Sequence, residues 1–323
     1  MRKLLQLVTV LGIVATPAIA NAKDLTIGFS WNSKQEPIVY AWEKYLQSEG
    51  AAQGKAAGFN VKFIFNVADN DPTRQAANIE DLINQGVDII MARAADSGAI
   101  GASIKAAQDA NIPFLTFDHP PGSVQPTAHL GGDGNKDATA AANALSDLLA
   151  SKGVKGQCIE LQGALTDVNG HTRHEGWLAA TKGKIETLQT IPTNWDPEIF
   201  RSGTANAFRA HPEANCIFMA SDFALSAVQS ALEAAGRWAP AGDPKHVYIA
   251  ALDVQPIAID ALRKKYIDVD VTYDANVLSK KAIEVALQLA KGEKPACAPD
   301  CSIVGRIATP ENIDTLPDLW SRQ

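Results

Sequence analysis

Short apolar runs recur along the chain, each followed by a longer alanine-rich stretch with helical spacing. LTIGFS (25–30), VKFIFNV (61–67), VDIIMA (87–92) and IPFLTF (112–117) come first. CIELQ (158–162), IETLQTI (185–191), CIFMA (216–220), HVYIAAL (246–252) and IDVDVTY (267–273) follow. Runs that are apolar at consecutive positions predict strands buried on both faces, as in parallel sheets covered by helices. The intervening segments carry helix-end chemistry. Asp71-Pro72 predicts an N-cap and a first helical residue, Ile79, Leu82 and Ile83 form an apolar stripe, and Gly86 suits a left-handed stop. The segment 223–236 repeats the scheme with Leu225, Val228, Leu232 and Gly236. The fold class is α/β, with doubly wound parallel sheets.

The runs form two series separated by Gly131-Gly132-Asp133-Gly134, and 323 residues exceed one ordinary core, so two domains are expected. That glycine cluster lacks the strand, Gly-x-Gly-x-x-Gly and helix spacing of a dinucleotide site, and reads as a flexible crossover. Hydrophobic residues make up 46% and charged residues 20%, which excludes a disordered or coiled-coil chain. With 36 acidic against 29 basic side chains the formal charge is -7, the wrong sign for a nucleic-acid binder. The first 22 residues stand apart, with Arg2 and Lys3, an apolar run from Leu4 to Val14, and the small-x-small Ala20-Asn21-Ala22. This pattern predicts a secretory signal peptide cleaved near Ala22; as a membrane anchor, the alternative, the run is short. No later apolar stretch is long enough to span a bilayer, so an exported, soluble protein is expected.

Export makes the four cysteines candidates for disulfides. Cys297 and Cys301 flank the turn-like Ala298-Pro299-Asp300 and are expected to pair. Cys158 and Cys216 each open a strand-like run. A bond between them requires neighbouring strands with Cα atoms within about 7 Å, which the sequence leaves open. Neither pair has a further Cys or His at zinc spacing.

In open parallel sheets, ligands bind beyond the carboxyl ends of the strands. Those positions hold Trp31 and Glu36, Arg93, Asp118 and His119, Ser221 and Asp222, Asp253, and Asp274. Charged groups directly after buried strands are costly unless paired. Carboxylates, guanidiniums and aromatic faces together suit a polyhydroxylated ligand. Plainer readings exist for single members: Asp222 as a helix cap, Arg93 paired with Asp96, Trp31 and Trp195 as core. Catalytic templates are missing, with neither a Gly-x-Ser-x-Gly elbow nor a His-Glu-x-x-His helix. His171, His174 and Glu175 lack a third ligand in the sequence and read as solvated helix-start residues. Asp133, Asn135 and Asp137 have calcium-loop spacing without its Gly and closing Glu, and read as helix capping. Neither a metal nor a cofactor is expected.

The sequence resembles the periplasmic sugar-binding proteins of ABC transporters, of the ribose-binding type. The resemblance rests on IELQG (159–163) followed by Arg173-x-x-Gly176-Trp177, on ANIPFLTFD ending at Asp118, on AHPEANCIFMASD (210–222) and on LAKGEKP (289–295). It implies two similar domains joined by three crossovers, roughly 24–132 plus 274–302 and 133–273 plus 303–323, with the ligand in a hinged cleft between them. It further implies binding without catalysis, a periplasmic monomer, and delivery of a sugar or polyol to an inner-membrane permease. Presentation of the same ligand to a membrane sensor is not separable by sequence. Asp118, Arg173, Asp253 and the stacking aromatic Trp195 match the family's ligand residues. Glu36 and Arg93 stand at Asn-like positions, His119 replaces an Arg, Ser221 replaces the Asn ahead of Asp222, and Tyr273 replaces a Gln. These departures point from ribose towards a hexose, another pentose or a polyol. Arg93 and Arg173 also suit an acidic sugar, an option that four nearby carboxylates oppose. The alternative of a different class is an exported glycoside hydrolase using Asp118 and Asp253, held roughly 5 to 9.5 Å apart.

Overall fold

The computed structural model describes residues 22–317 and 319–322; the expected leader, apart from Ala22, lies outside the described residues. Five parallel strands form the first sheet: β1 (Lys23–Trp31), β2 (Phe59–Val67), β3 (Ile89–Ala92), β4 (Phe114–Phe117) and β5 (Ala128–Leu130), in the order β2-β1-β3-β4-β5. The second sheet contains β6 (Gly156–Gln162), β7 (Ile185–Pro192), β8 (Cys216–Met219), β9 (Tyr248–Asp253), β10 (Val269–Thr272) and β11 (Ile307–Ala308). Its order is β11-β10-β9-β8-β6-β7, parallel except for the antiparallel β11. The protein is thus two α/β domains.

Both faces of each sheet are buried, as the consecutive apolar runs require. In β3, Ile89 and Met91 join the core beneath α1 (Pro37–Ala57), while Ile90 and Ala92 join the one beneath α2 (Pro72–Asn84) and α3 (Ile100–Asp109). In β8, Ile217 and Met219 face α6 (Pro197–Ala210), α7 (Leu225–Ala234) and α8 (Pro256–Arg263). Cys216 and Phe218 face α4 (Gly134–Ser151) and α5 (Val168–Thr181). Asp71 caps α2, accepting from the backbone N–H groups of Thr73 and Arg74, and Asp133 caps α4 through Lys136 N–H. The strands β5 and β11, of three and two residues, were not foreseen.

The chain passes between the sheets three times. It leaves β5 for α4, returns after β10 as α9 (Ala275–Ala290), and goes back to pair β11 with β10. Helix α9 buries Leu278, Ala282, Ile283 and Ala286 against Ile38, Val39 and Leu46 of α1. The third passage runs beside the first: Cys301 N–H donates to His129 O at 2.8 Å, Ile303 N–H to Gly131 O at 2.8 Å, and Asp133 N–H to Ile303 O at 2.8 Å. Arg306 Nη2 holds Asp274 at 2.9 Å, tying the third passage to the second. Both disulfides form. Cys297 and Cys301 close the expected small loop, and Cys158 and Cys216 are register partners on β6 and β8 with Cα atoms 4.4 Å apart.

Candidate ligand-binding site

A cavity lined by residues of both domains lies between them. Its polar lining comes mainly from strand ends. Arg93 follows β3, Asp118 and His119 follow β4, Ser221 follows β8, Asp253 ends β9 and Tyr273 follows β10. Glu36 stands just before α1, Arg173 projects from α5, and Trp195 lies in the loop before α6. These are nine of the residues expected from the sequence.

Two others lie elsewhere. Strand β1 continues through Trp31, whose ring is fully buried, stacked on Phe29 with centroids 3.9 Å apart; its Nε1 donates to Glu43. Asp222 is also fully buried, accepting from Gln255 N–H at 2.8 Å beneath the cavity floor. Trp31 is therefore core, as its plainer reading had it. Asp222 is neither in the cavity lining nor the cap, since Ser221 Oγ is the group that accepts from Phe223 N–H. Asp274 serves the Arg306 pair. The His-rich segment is used structurally: His171 Nε2 meets Leu165 O at 2.7 Å and His174 Nδ1 meets the buried Glu160 at 2.8 Å.

Arg93 is saturated almost completely. Its Nε donates to Asp118 at 2.6 Å, Nη1 to Asn32 at 3.0 Å and Glu36 at 2.8 Å, and Nη2 to Glu36 at 3.1 Å, while the guanidinium lies over Trp42 at 5.6 Å. Asp96 instead accepts from Gly98 and Ala99 N–H groups. Across the cavity, Arg173 Nη1 donates to Ala220 O at 2.6 Å and Nη2 to Asp253 at 3.1 Å. Ser221 Oγ also binds Asp253. Burial opposes ionisation of Asp118, but Arg93 overcomes it and holds that carboxyl down at about 2. Burial raises Asp253 above the ordinary carboxylate range despite Arg173, and raises the Tyr273 phenol well above its own.

Residues without a sequence signal complete the lining: Ile38 and Trp42 on α1, Asp167 and Asn169 at the start of α5, Phe223, and Gln255. Asp167 accepts from Asn169 N–H at 3.0 Å and from Trp195 Nε1 at 3.1 Å. Trp195 lies flat on Gly163, where an added Cβ would come within 2.0 Å of the ring. Asp118, Trp195 and Asp253 all hold positive φ, of 61°, 56° and 104°, a strain that clusters at binding sites. Two buried donors, Arg173 Nε and Trp42 Nε1, have no hydrogen-bond partner among the described residues. The lips are joined by Asn169 Nδ2 donating to Asp118 O at 3.0 Å, Ser97 N–H to Thr166 O at 3.3 Å, and Val168 N–H to Ser97 Oγ at 3.3 Å.

The arrangement suits capture rather than bond cleavage. Asp118 and Asp253, the carboxylates a hydrolase would need, are each engaged by a guanidinium.

Comparison with known proteins agrees. The ribose import binding protein of Escherichia coli is 28% identical over 301 residues, covering 91% of this chain and 94% of that protein. A solute-binding protein of Actinobacillus succinogenes solved with D-allose superposes with a TM-score of 0.79 at 20% identity, covering 90% of this chain and all of that one (100%). One from Bacillus halodurans solved with myo-inositol gives a TM-score of 0.77 at 23% identity, covering 91% and 97%. Residues 27–294 match the periplasmic binding protein domain, so the chain belongs to that family of binding proteins, which are not enzymes.

Proposed function

We propose that the protein captures a sugar or polyol in the interdomain cleft and delivers it to an ABC-type permease of the inner membrane. The observation that carries this reading is the lining itself. Two oriented guanidinium–carboxylate clusters face one another, flanked by Trp42, Trp195, Phe223 and Tyr273. Such a lining gives hydroxyls both donors and acceptors and gives the C–H faces of a ring an aromatic surface. The ligand residues are Glu36, Arg93, Asp118, His119, Arg173, Trp195, Ser221, Asp253 and Tyr273. The two lobes are 24–132 plus 274–302 and 133–273 plus 303–323, and they hinge about the three passages. The protein works as a monomer in the periplasm after loss of its leader near Ala22.

A thermal-shift panel of pentoses, hexoses, polyols and sugar acids tests the reading. A ligand at about one hundred times its dissociation constant adds roughly 2.7 kcal/mol, a shift of a few degrees. A neutral sugar or polyol hit supports the proposal, and a sugar-acid hit makes Arg93 and Arg173 a carboxylate clamp. Silence across the panel overturns it, and release of product over time would reinstate the hydrolase.

A further inference from the structure

The charge around the cavity is unbalanced. Four carboxylates reach it, from Glu36, Asp118, Asp167 and Asp253, against the two guanidiniums of Arg93 and Arg173. The guanidiniums are already committed: Arg93 takes Glu36 and Asp118, and Arg173 takes Asp253. Asp167 is left without one. It is buried, 5% exposed, and among the described residues its carboxylate receives hydrogen bonds only from the neutral N–H groups of Asn169 and Trp195. Its nearest cationic candidate is His119, whose Nε2 lies 3.8 Å away and 3.5 Å from Asp118, while Nδ1 faces Ala94 O at 2.7 Å. With all four carboxylates ionised, counting His119 as a cation still leaves one negative charge in excess.

A carboxylate sealed from water is costly unless a positive charge meets it. The unpartnered Arg173 Nε independently marks this cavity as one completed by a ligand. A neutral sugar satisfies that donor but leaves the charge excess buried. A sugar acid increases it. An ammonium group removes it, and the aromatic walls favour a cation as well.

Resting on the sugar-binding reading above, we propose that the cleft selects sugars or polyols carrying a protonated amine, with Asp167 receiving the ammonium group. Titration calorimetry with matched probes at about pH 6, where these amines keep their proton, tests it. The pairs are D-glucosamine with D-glucose, D-galactosamine with D-galactose, and D-glucamine with D-glucitol, with D-glucuronate as the opposite charge. At least one amine is expected to bind about tenfold or more tightly than its neutral partner, with D-glucuronate weaker than D-glucose. Asp167→Asn is expected to lower that amine-to-neutral ratio about tenfold. Equal or tighter binding of the neutral partners overturns the amine inference and leaves the sugar reading standing. An unchanged ratio in a folded Asp167→Asn variant overturns the role of Asp167. Failure of every probe to bind overturns the amine inference, and the wider panel above then decides the sugar reading.

Discussion

Trp195 is fixed from three sides: its ring covers Gly163, its indole N–H is held by Asp167, and its backbone adopts a left-handed turn. Such pre-organisation makes its aromatic face effective against a ring. Trp195→Ala should weaken ligand binding by about 1 kcal/mol or more, read by titration as a roughly fivefold or greater rise in Kd. Below the cavity, burial raises Asp222 and Asp270, the latter to about 7, helped by the charge of Asp270 on Asp222 and of Asp253 on both, so the pair holds a proton at neutral pH. The folded state keeps a proton that the unfolded chain releases near 3.8, so this contribution is full below that pH and is lost as pH climbs through about 7. Asp270→Asn, whose amide can donate to Asp222, should therefore lose a few degrees less in melting temperature than wild type between about pH 5 and pH 8. Identical slopes would remove the pair from the pH response. The strand-end residues of the site were legible because a charge after an apolar run is conspicuous. Trp42, Asn169, Asp167 and Gln255 were not, because nothing local separates a cap or helix residue facing a cavity from one facing core or solvent.

At the scale of elements, the apolar runs located the long strands well, because burial on both faces leaves continuous hydrophobic sequence. The failures share one cause. In β5 and β11 only three and two residues pair, too few to carry a period, and their partners supply the context. Trp31 was misplaced by a similar margin, since β1 runs one residue further than its apolar pattern and turns that ring inward. The Cys158–Cys216 pairing depended on strand order, which periodicity does not encode; β6 and β8 are neighbours although β7 intervenes in sequence. Closing a loop with a sequence separation of 58, this bond should contribute about 2–4 kcal/mol. Replacing both cysteines by Ala should lower the denaturation free energy by that amount while leaving ligand preference unchanged, because neither lines the cavity. A shift in preference would show that the sheet beneath the site had moved.

For the whole molecule, the three passages decide what counts as a folding unit. Among the described residues, none of the helices is long and apolar enough to cross a membrane. A fragment covering 22–132 contains the whole first sheet but lacks α9, and so bares the α1 face built from Ile38, Val39 and Leu46. It should show no cooperative melt by circular dichroism; a sharp transition would mean that α9 is dispensable. The same routing has a further effect on a nicked chain. A protease that cuts one connecting passage leaves two intact, so the pieces stay tethered and the cut shows only under denaturing conditions. Shear or partial digestion that would separate the halves of a simple two-bead protein leaves this one assembled, with its ligand still between them.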